Sequence, residues 1–316
     1  MERESAADRS VLEAFLARYT EISTRGDASI QETNARIISR AETPEAPSFP
    51  QKGPMLVLAA MIAFGFGLGV ASIAELTSRK IRYLNDIDWV SGAPVLAALP
   101  PVKKSRDAAL LKPSGKFAEG IRALYAGLGL WPVGDQRGRA VVVTSTARGE
   151  GRTTTAVGLA RSMAESGLRV LLIDADFQHP DLANVLGLSQ PMGFKDLIAG
   201  RAGYSDVIVR QPNSSLHVMA AGEAEGASFL SSRQLQPIML GLVYAYDVVV
   251  LDCAPVNSGD AQALLWIADQ CIYAVRWNAT KRDRVLAGVR QLSASRGRGG
   301  ISLVLTGANV SATYTS

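Results

Sequence analysis

An uninterrupted apolar run constrains this chain more than any other feature. Residues 53–74 carry no charge and are bracketed by Lys52 and Glu75. As a helix rising about 1.5 Å per residue, the run reaches roughly 33 Å, enough for a hydrocarbon core of about 30 Å. Buried helices of globular cores seldom exceed about 14 residues without a polar face. The run predicts one transmembrane helix over residues 54–76, so the chain cannot be one soluble globule. Gly65 and Gly69 are spaced as GxxxG, which allows close helix packing. Arg79, Lys80 and Arg82 follow the run, against Arg40 and Lys52 before it, and this excess favours a cytoplasmic C-terminal side.

Residues 1–53 are polar and lack a signal-peptide pattern. Ser10 and Glu13 have capping-box spacing, and Val11, Leu12, Phe15, Leu16 and Tyr19 then share one helical face, suited to a partner. Pro44, Pro47 and Pro50 predict a stiff, extended lead into the membrane. On this reading residues 1–53 are periplasmic. Residues 77–137 are a juxtamembrane connector punctuated by Pro94, Pro100, Pro101 and Pro113. It carries one amphipathic helix through Phe117, Ile121, Leu124, Leu128 and Leu130.

Composition excludes several classes. With 47% apolar and 20% charged residues in 316, the chain is not disordered, and a net charge of +4 leaves no nucleic-acid footprint. Cys253 and Cys271 cannot form a disulfide framework, and His179 and His217 are too few for a metal cluster or Ser-His-Asp hydrolysis. Cys253 reads as a small buried strand-end residue and His217 as a strand residue with a satisfied ring.

From residue 138 onward the pattern turns regular. Short apolar runs at 141–143, 170–173, 248–251, 272–275 and 303–305 alternate with helix-like stretches around 154–166, 259–268 and 282–294. Continuous apolar strands joined by helices imply right-handed βαβ units. Residues 138–316 are therefore expected to fold as an α/β domain with a doubly wound parallel sheet.

The turn after the first of these strands reads Thr144-Ser145-Thr146-Ala147-Arg148-Gly149-Glu150-Gly151-Arg152-Thr153-Thr154. A loop that leaves a strand and opens a helix aims its N–H groups and the helix dipole at one point, which suits a phosphate. Gly149, Glu150, Gly151, Arg152, Thr153 and Thr154 are the candidate cofactor-binding residues. Thr153 sits where a P-loop hydroxyl ligates Mg²⁺. Two later strands end in Asp174-Ala175-Asp176 and Asp252-Cys253-Ala254-Pro255. Asp174, Asp176 and Asp252 are the candidate catalytic carboxylates, with Thr153, Asp174 and Asp252 as the metal set. A P-loop normally ends Gly-Lys-Ser/Thr. Here Arg152 takes the lysine position, and a forked guanidinium is not an equivalent replacement for a point charge.

The whole pattern resembles the bacterial tyrosine kinases joined to polysaccharide co-polymerases. Ala93-Pro94-Val95-Leu96-Ala97-Ala98-Leu99-Pro100, Glu150-Gly151, Asp174/Asp176, Asp252-x-x-Pro255 and Gly193-Phe194-Lys195-Asp196 occur in that family's order. The resemblance implies a cytoplasmic P-loop domain at the bacterial inner membrane that binds Mg·ATP, forms rings and phosphorylates tyrosines in its own tail. Asp176 would then be the base toward a tyrosine hydroxyl. It also implies a polysaccharide polymerase and export machinery as partners, and a separately encoded periplasmic chain-length subunit. Four departures stand out: Arg152, Gln178 in place of an arginine, the partial contact helix Glu119-x-x-Arg122-x-x-Tyr125, and Tyr314 as the lone tyrosine of the last 40 residues. The reading that follows is a membrane-anchored, kinase-like regulatory module with weak phosphotransfer. An active autokinase with Tyr314 as acceptor, or a positioning or partitioning ATPase, are the alternatives.

Overall fold

The computed structural model describes residues 2–28, 51–77, 92–102, 115–129, 137–223, 235–295 and 299–309. The chain divides into two compact units, Met1–Val70 and Ala71–Ser316.

In the first unit, helix α1 runs over Glu2–Ala28. Ser10 is therefore inside the helix and does not cap it, because the Glu-, Arg- and Ala-rich residues before it are themselves good helix formers. Val11, Leu12, Phe15, Leu16 and Tyr19 are all exposed. Helix α2, Lys52–Thr77, has no polar face. Its mean hydropathy is 2.3 over Lys52–Ile73, and none of that stretch is buried. Among the described residues it is the one helix long and apolar enough to cross a membrane. The proline-rich lead-in and the flanking Arg40, Arg79, Lys80 and Arg82 lie outside the described residues.

The second unit is built on an eight-stranded sheet. Its strands are β1 (Val95–Leu99), β2 (Arg139–Ser145), β3 (Val170–Ala175), β4 (Val209–Arg210), β5 (His217–Met219), β6 (Val248–Cys253), β7 (Gln270–Arg276) and β8 (Gly300–Thr306). Their spatial order is β1-β8-β7-β2-β6-β3-β5-β4. Every pairing is parallel except the hairpin between β4 and β5. Each apolar run read in the sequence is one of these strands. The runs of Val, Leu and Ile are continuous because both sheet faces are covered.

Helices cover the two faces. Helices α3 (Gly115–Gly127), α4 (Arg152–Glu165) and α5 (Leu182–Leu186) share one core with Phe117, Ile121, Leu159 and Met163. On the opposite face lie α6 (Phe194–Ile198) and α7 (Tyr204–Val207), then α8 (Leu235–Ala245), α9 (Gly259–Leu265) and α10 (Arg282–Ser295), around Phe194, Met239, Leu264 and Leu292. The stretch read as a connector supplies both β1 and α3. Strand β1 extends the sheet edge, where Leu303 N–H donates to the Pro94 carbonyl and Ala308 N–H to that of Leu99, 2.8 and 2.9 Å. Helix α3 seats Ile121 and Phe117 against Gly158 of α4, where a Cβ would come within 2.9 Å of Ile121.

Strand β2 lies between β7 and β6, so the direction of winding reverses beside it. Crevices at such switch points, outside the carboxyl ends of the strands, are where open α/β sheets hold ligands. The Gly149–Gly151 loop leaves β2 at that point.

Candidate active site

The loop is shaped by two glycines and braced by one glutamate. Gly149 and Gly151 have φ of 76° and 86°, the left-handed region where a Cβ is strained. Gly151 precedes α4 directly, and a Cβ there would also press on the Thr306 side chain at 3.0 Å. Glu150 between them is buried and points inward. One carboxylate oxygen accepts the N–H groups of Thr146 and Ala147 at 2.8 and 2.9 Å, and the other accepts the Thr280 hydroxyl at 2.5 Å. Its carbonyl accepts the Thr306 hydroxyl at 2.6 Å, while Arg276 donates to the Gly149 carbonyl at 2.7 Å. Glu150, read in the sequence as a ligand-binding residue, is thus a brace. It ties the loop to the ends of β7 and β8, and two loop amides are already occupied by its carboxylate.

The acids meet at neighbouring strand ends. Asp174 and Asp252 are cross-strand partners in the β3–β6 register, and Asp252 is paired in turn with Val143 of β2. Asp174 accepts the Leu182 and Asp176 N–H groups at 3.0 and 3.2 Å. Burial, with the Asp252 charge added, still pushes its carboxyl up to about 8. Burial raises Asp252 to about 6, against the opposing pull of Arg152 and a hydrogen bond with the Thr153 side chain. Asp252 Oδ1 is buried and has no hydrogen-bond partner among the described residues. A buried carboxylate oxygen without a donor is costly unless a proton or cation meets it.

Arg152 does not reach outward. It is buried, its Nη2 donates to Asp176 Oδ2 at 2.9 Å, and its Nη1 donates to the Cys253 carbonyl. Asp176 Oδ1 accepts the His179 N–H at 3.2 Å. The lysine-position residue and the candidate base are therefore each other's counter-ions.

Above these groups opens a cleft of about 490 Å³. Gly149, Gly151, Arg152, Thr153, Thr154 and Asp176 line it, so most of the residues singled out in the sequence are brought together. Asp174 and Asp252 sit beneath that lining. Tyr314 lies outside the described residues. Sequence reasoning missed Arg148, Arg276, His179 and Asp181, which also line the cleft, and Thr280 and Thr306, which hold the loop. A signal existed for Arg276 alone: it is a charge closing an apolar strand run. Among the described residues no group of three or more His, Cys, Asp or Glu side chains is arranged to hold a metal ion. Of the metal set read in the sequence, both Asp174 oxygens already accept backbone N–H groups, whereas Thr153 and Asp252 Oδ1 would hold an ion. Both groups suit a hard cation such as Mg²⁺.

A family model described as "AAA domain" matches residues 138–295. The succinoglycan biosynthesis transport protein ExoP of Rhizobium meliloti (strain 1021) is 26% identical over 89% of this chain and 40% of its own length. The tyrosine-protein kinase YwqD of Bacillus subtilis (strain 168) is 26% identical over 60% of this chain and 81% of its own. Among solved structures, the BceF tyrosine kinase domain superposes with a TM-score of 0.63, 22% identity, and coverage of 72% of this chain and 99% of that domain. That likeness is one of fold. The chain spans less than half the length of ExoP. The chain belongs to the AAA-domain family, and its relatives include bacterial proteins named as tyrosine-protein kinases.

Proposed function

We propose that this chain is a membrane-anchored, kinase-like module of an exopolysaccharide polymerisation and export system, one that binds Mg·ATP and transfers phosphate weakly. The observation that carries this reading is the buried Arg152–Asp176 pair. Phosphoryl transfer depends on positive charge placed where it develops on the moving group, and loss of one such donor costs about 10²–10³ in rate. Arg152 instead spends its guanidinium on Asp176 and the Cys253 carbonyl. The pair also takes up Asp176 Oδ2, an oxygen that would otherwise accept a proton from an incoming tyrosine hydroxyl.

Nucleotide binding draws on other groups. Arg148, ahead of α4, and Thr153 and Thr154 in its first turn line the cleft. Bound Mg²⁺ would neutralise phosphate charge, held by Thr153 and Asp252. The similarity to ExoP, a succinoglycan biosynthesis transport protein, supports exopolysaccharide export as the setting; a polymerase and a separately encoded chain-length subunit are the partners this reading proposes. The apolar helix Lys52–Thr77 supports membrane anchoring, and use of cytoplasmic ATP by the P-loop domain would require residues 77–316 on the cytoplasmic side of the inner membrane.

Two assays on the full chain in detergent test the reading together. Calorimetry should detect Mg·ADP binding that Gly151→Ala weakens at least tenfold. Transfer of labelled phosphate from ATP to protein tyrosine should stay near background. Absence of nucleotide binding, or rapid transfer, would refute it.

A further inference from the structure

A second cleft, of about 450 Å³, opens at the amino ends of β3 and β5, the end of the sheet opposite the Gly149–Gly151 loop. Its lining includes Arg169, Arg210, Ser215, His217 and Tyr246, and no acidic side chain. Leu168, Val170 and Ala245 supply an apolar wall. We infer that this cleft binds a phosphate monoester with an apolar or aromatic body.

Three features build the site. First, its cations are anchored. Arg210 donates from Nε to the Ser214 carbonyl at 2.9 Å, which leaves its two Nη groups without a partner among the described residues. Arg169 is held by Asp247 through Nε and Nη2, at 3.2 and 2.7 Å. An arginine fixed along one edge presents its remaining donors with less entropy to lose, and its fork matches phosphate geometry. Second, Arg210 and His217 are directly opposed in the antiparallel β4–β5 pair, so guanidinium and imidazole are brought to one spot by register. Third, His217 Nδ1 shares a hydrogen with the Tyr246 hydroxyl at 2.8 Å, and the rings meet edge-on at 5.5 Å between centroids. That contact fixes the imidazole and leaves Nε2 as its remaining polar atom. Asp247 is already engaged by the Arg169 side chain and by the Arg169 backbone N–H at 2.8 Å. The volume falls within the about 300–1,000 Å³ of small-molecule sites, and the mixed wall suits a ligand part apolar and part dianionic.

The test uses phenyl phosphate as probe, titrated calorimetrically into the full chain in detergent. Millimolar or tighter binding is expected. Arg210→Ala and His217→Phe should each weaken it at least fivefold with the melting temperature preserved, while Gly151→Ala leaves it intact. Displacement by lysophosphatidic acid but not glucose 1-phosphate would assign the site to a lipid headgroup, and the reverse to a soluble ester. No binding, binding indifferent to both cleft variants, or binding lost in Gly151→Ala would overturn the proposal.

Discussion

Glu150 and Asp174 are both buried carboxyls, yet their surroundings make opposite demands on them. Glu150 accepts two amides and a hydroxyl, so both of its carboxyl oxygens are engaged. Replacing it with Ala leaves those donors buried and unpaired, at about 1–3 kcal/mol, and frees the loop. Thermal melting of Glu150→Ala should show the loss, and Mg·ADP affinity should fall with it. Unchanged affinity would mean the brace does not shape the loop. Burial pushes the Asp174 and Asp252 carboxyls up to about 8 and about 6, with the Asp252 charge adding to the effect at Asp174 and the Asp176 and Asp181 charges at Asp252. Folding therefore favours the protons. That stability is complete below the ordinary carboxylate range and is lost as pH rises through about 6 and about 8. Melting curves of the ligand-free protein should fall over that window, and Asp174→Asn should flatten its upper part. A wild-type melting temperature that rises from pH 6 to 8 would contradict these assignments. The strand ends made both aspartates legible in the sequence. The inward turn of Glu150 and Arg152 was not legible, because side-chain direction depends on Thr280, Asp176 and Cys253, all distant in the chain.

At the scale of elements, β7 and α10 are keyed together at one glycine. A Cβ on Gly288 would lie 1.8 Å from the Tyr273 hydroxyl, which in turn contacts the Thr146 hydroxyl at 2.7 Å. Gly288→Ala should destabilise the domain by about 1–3 kcal/mol through overpacking. Tyr273→Phe should relieve part of that, so the double variant should be more stable than the sum of the single changes. Strict additivity in denaturant unfolding would place the strain elsewhere. The main strands were readable because each is a continuous apolar run. Strand β1 was not, since its five residues sit between prolines and gain strand character only from pairing with β8, some two hundred residues later. Of the short β4–β5 hairpin, with two and three residues, the sequence showed only His217 as a strand residue, for the same reason.

For the whole molecule, the proposed function calls for a long apolar helix that crosses the membrane and a P-loop domain on its cytoplasmic side. Residues 1–53 should face the periplasm and residues 77–316 the cytoplasm. Single cysteines at Ser29 and Ser105, in a variant lacking Cys253 and Cys271, should label oppositely with a membrane-impermeant thiol reagent on intact cells. Equal protection of both would refute the arrangement. The central claim, that Arg152 leaves a nucleotide-binding module with little phosphotransfer, has a more direct test. Phosphotyrosine should be quantified by mass spectrometry on the protein purified from its own host, beside an Arg152→Lys variant. The account predicts near-background phosphotyrosine on the unmodified chain and a clear gain for Arg152→Lys. Robust phosphotyrosine on the unmodified chain, lost on Arg152→Lys, would contradict it and make the arginine a working catalytic residue.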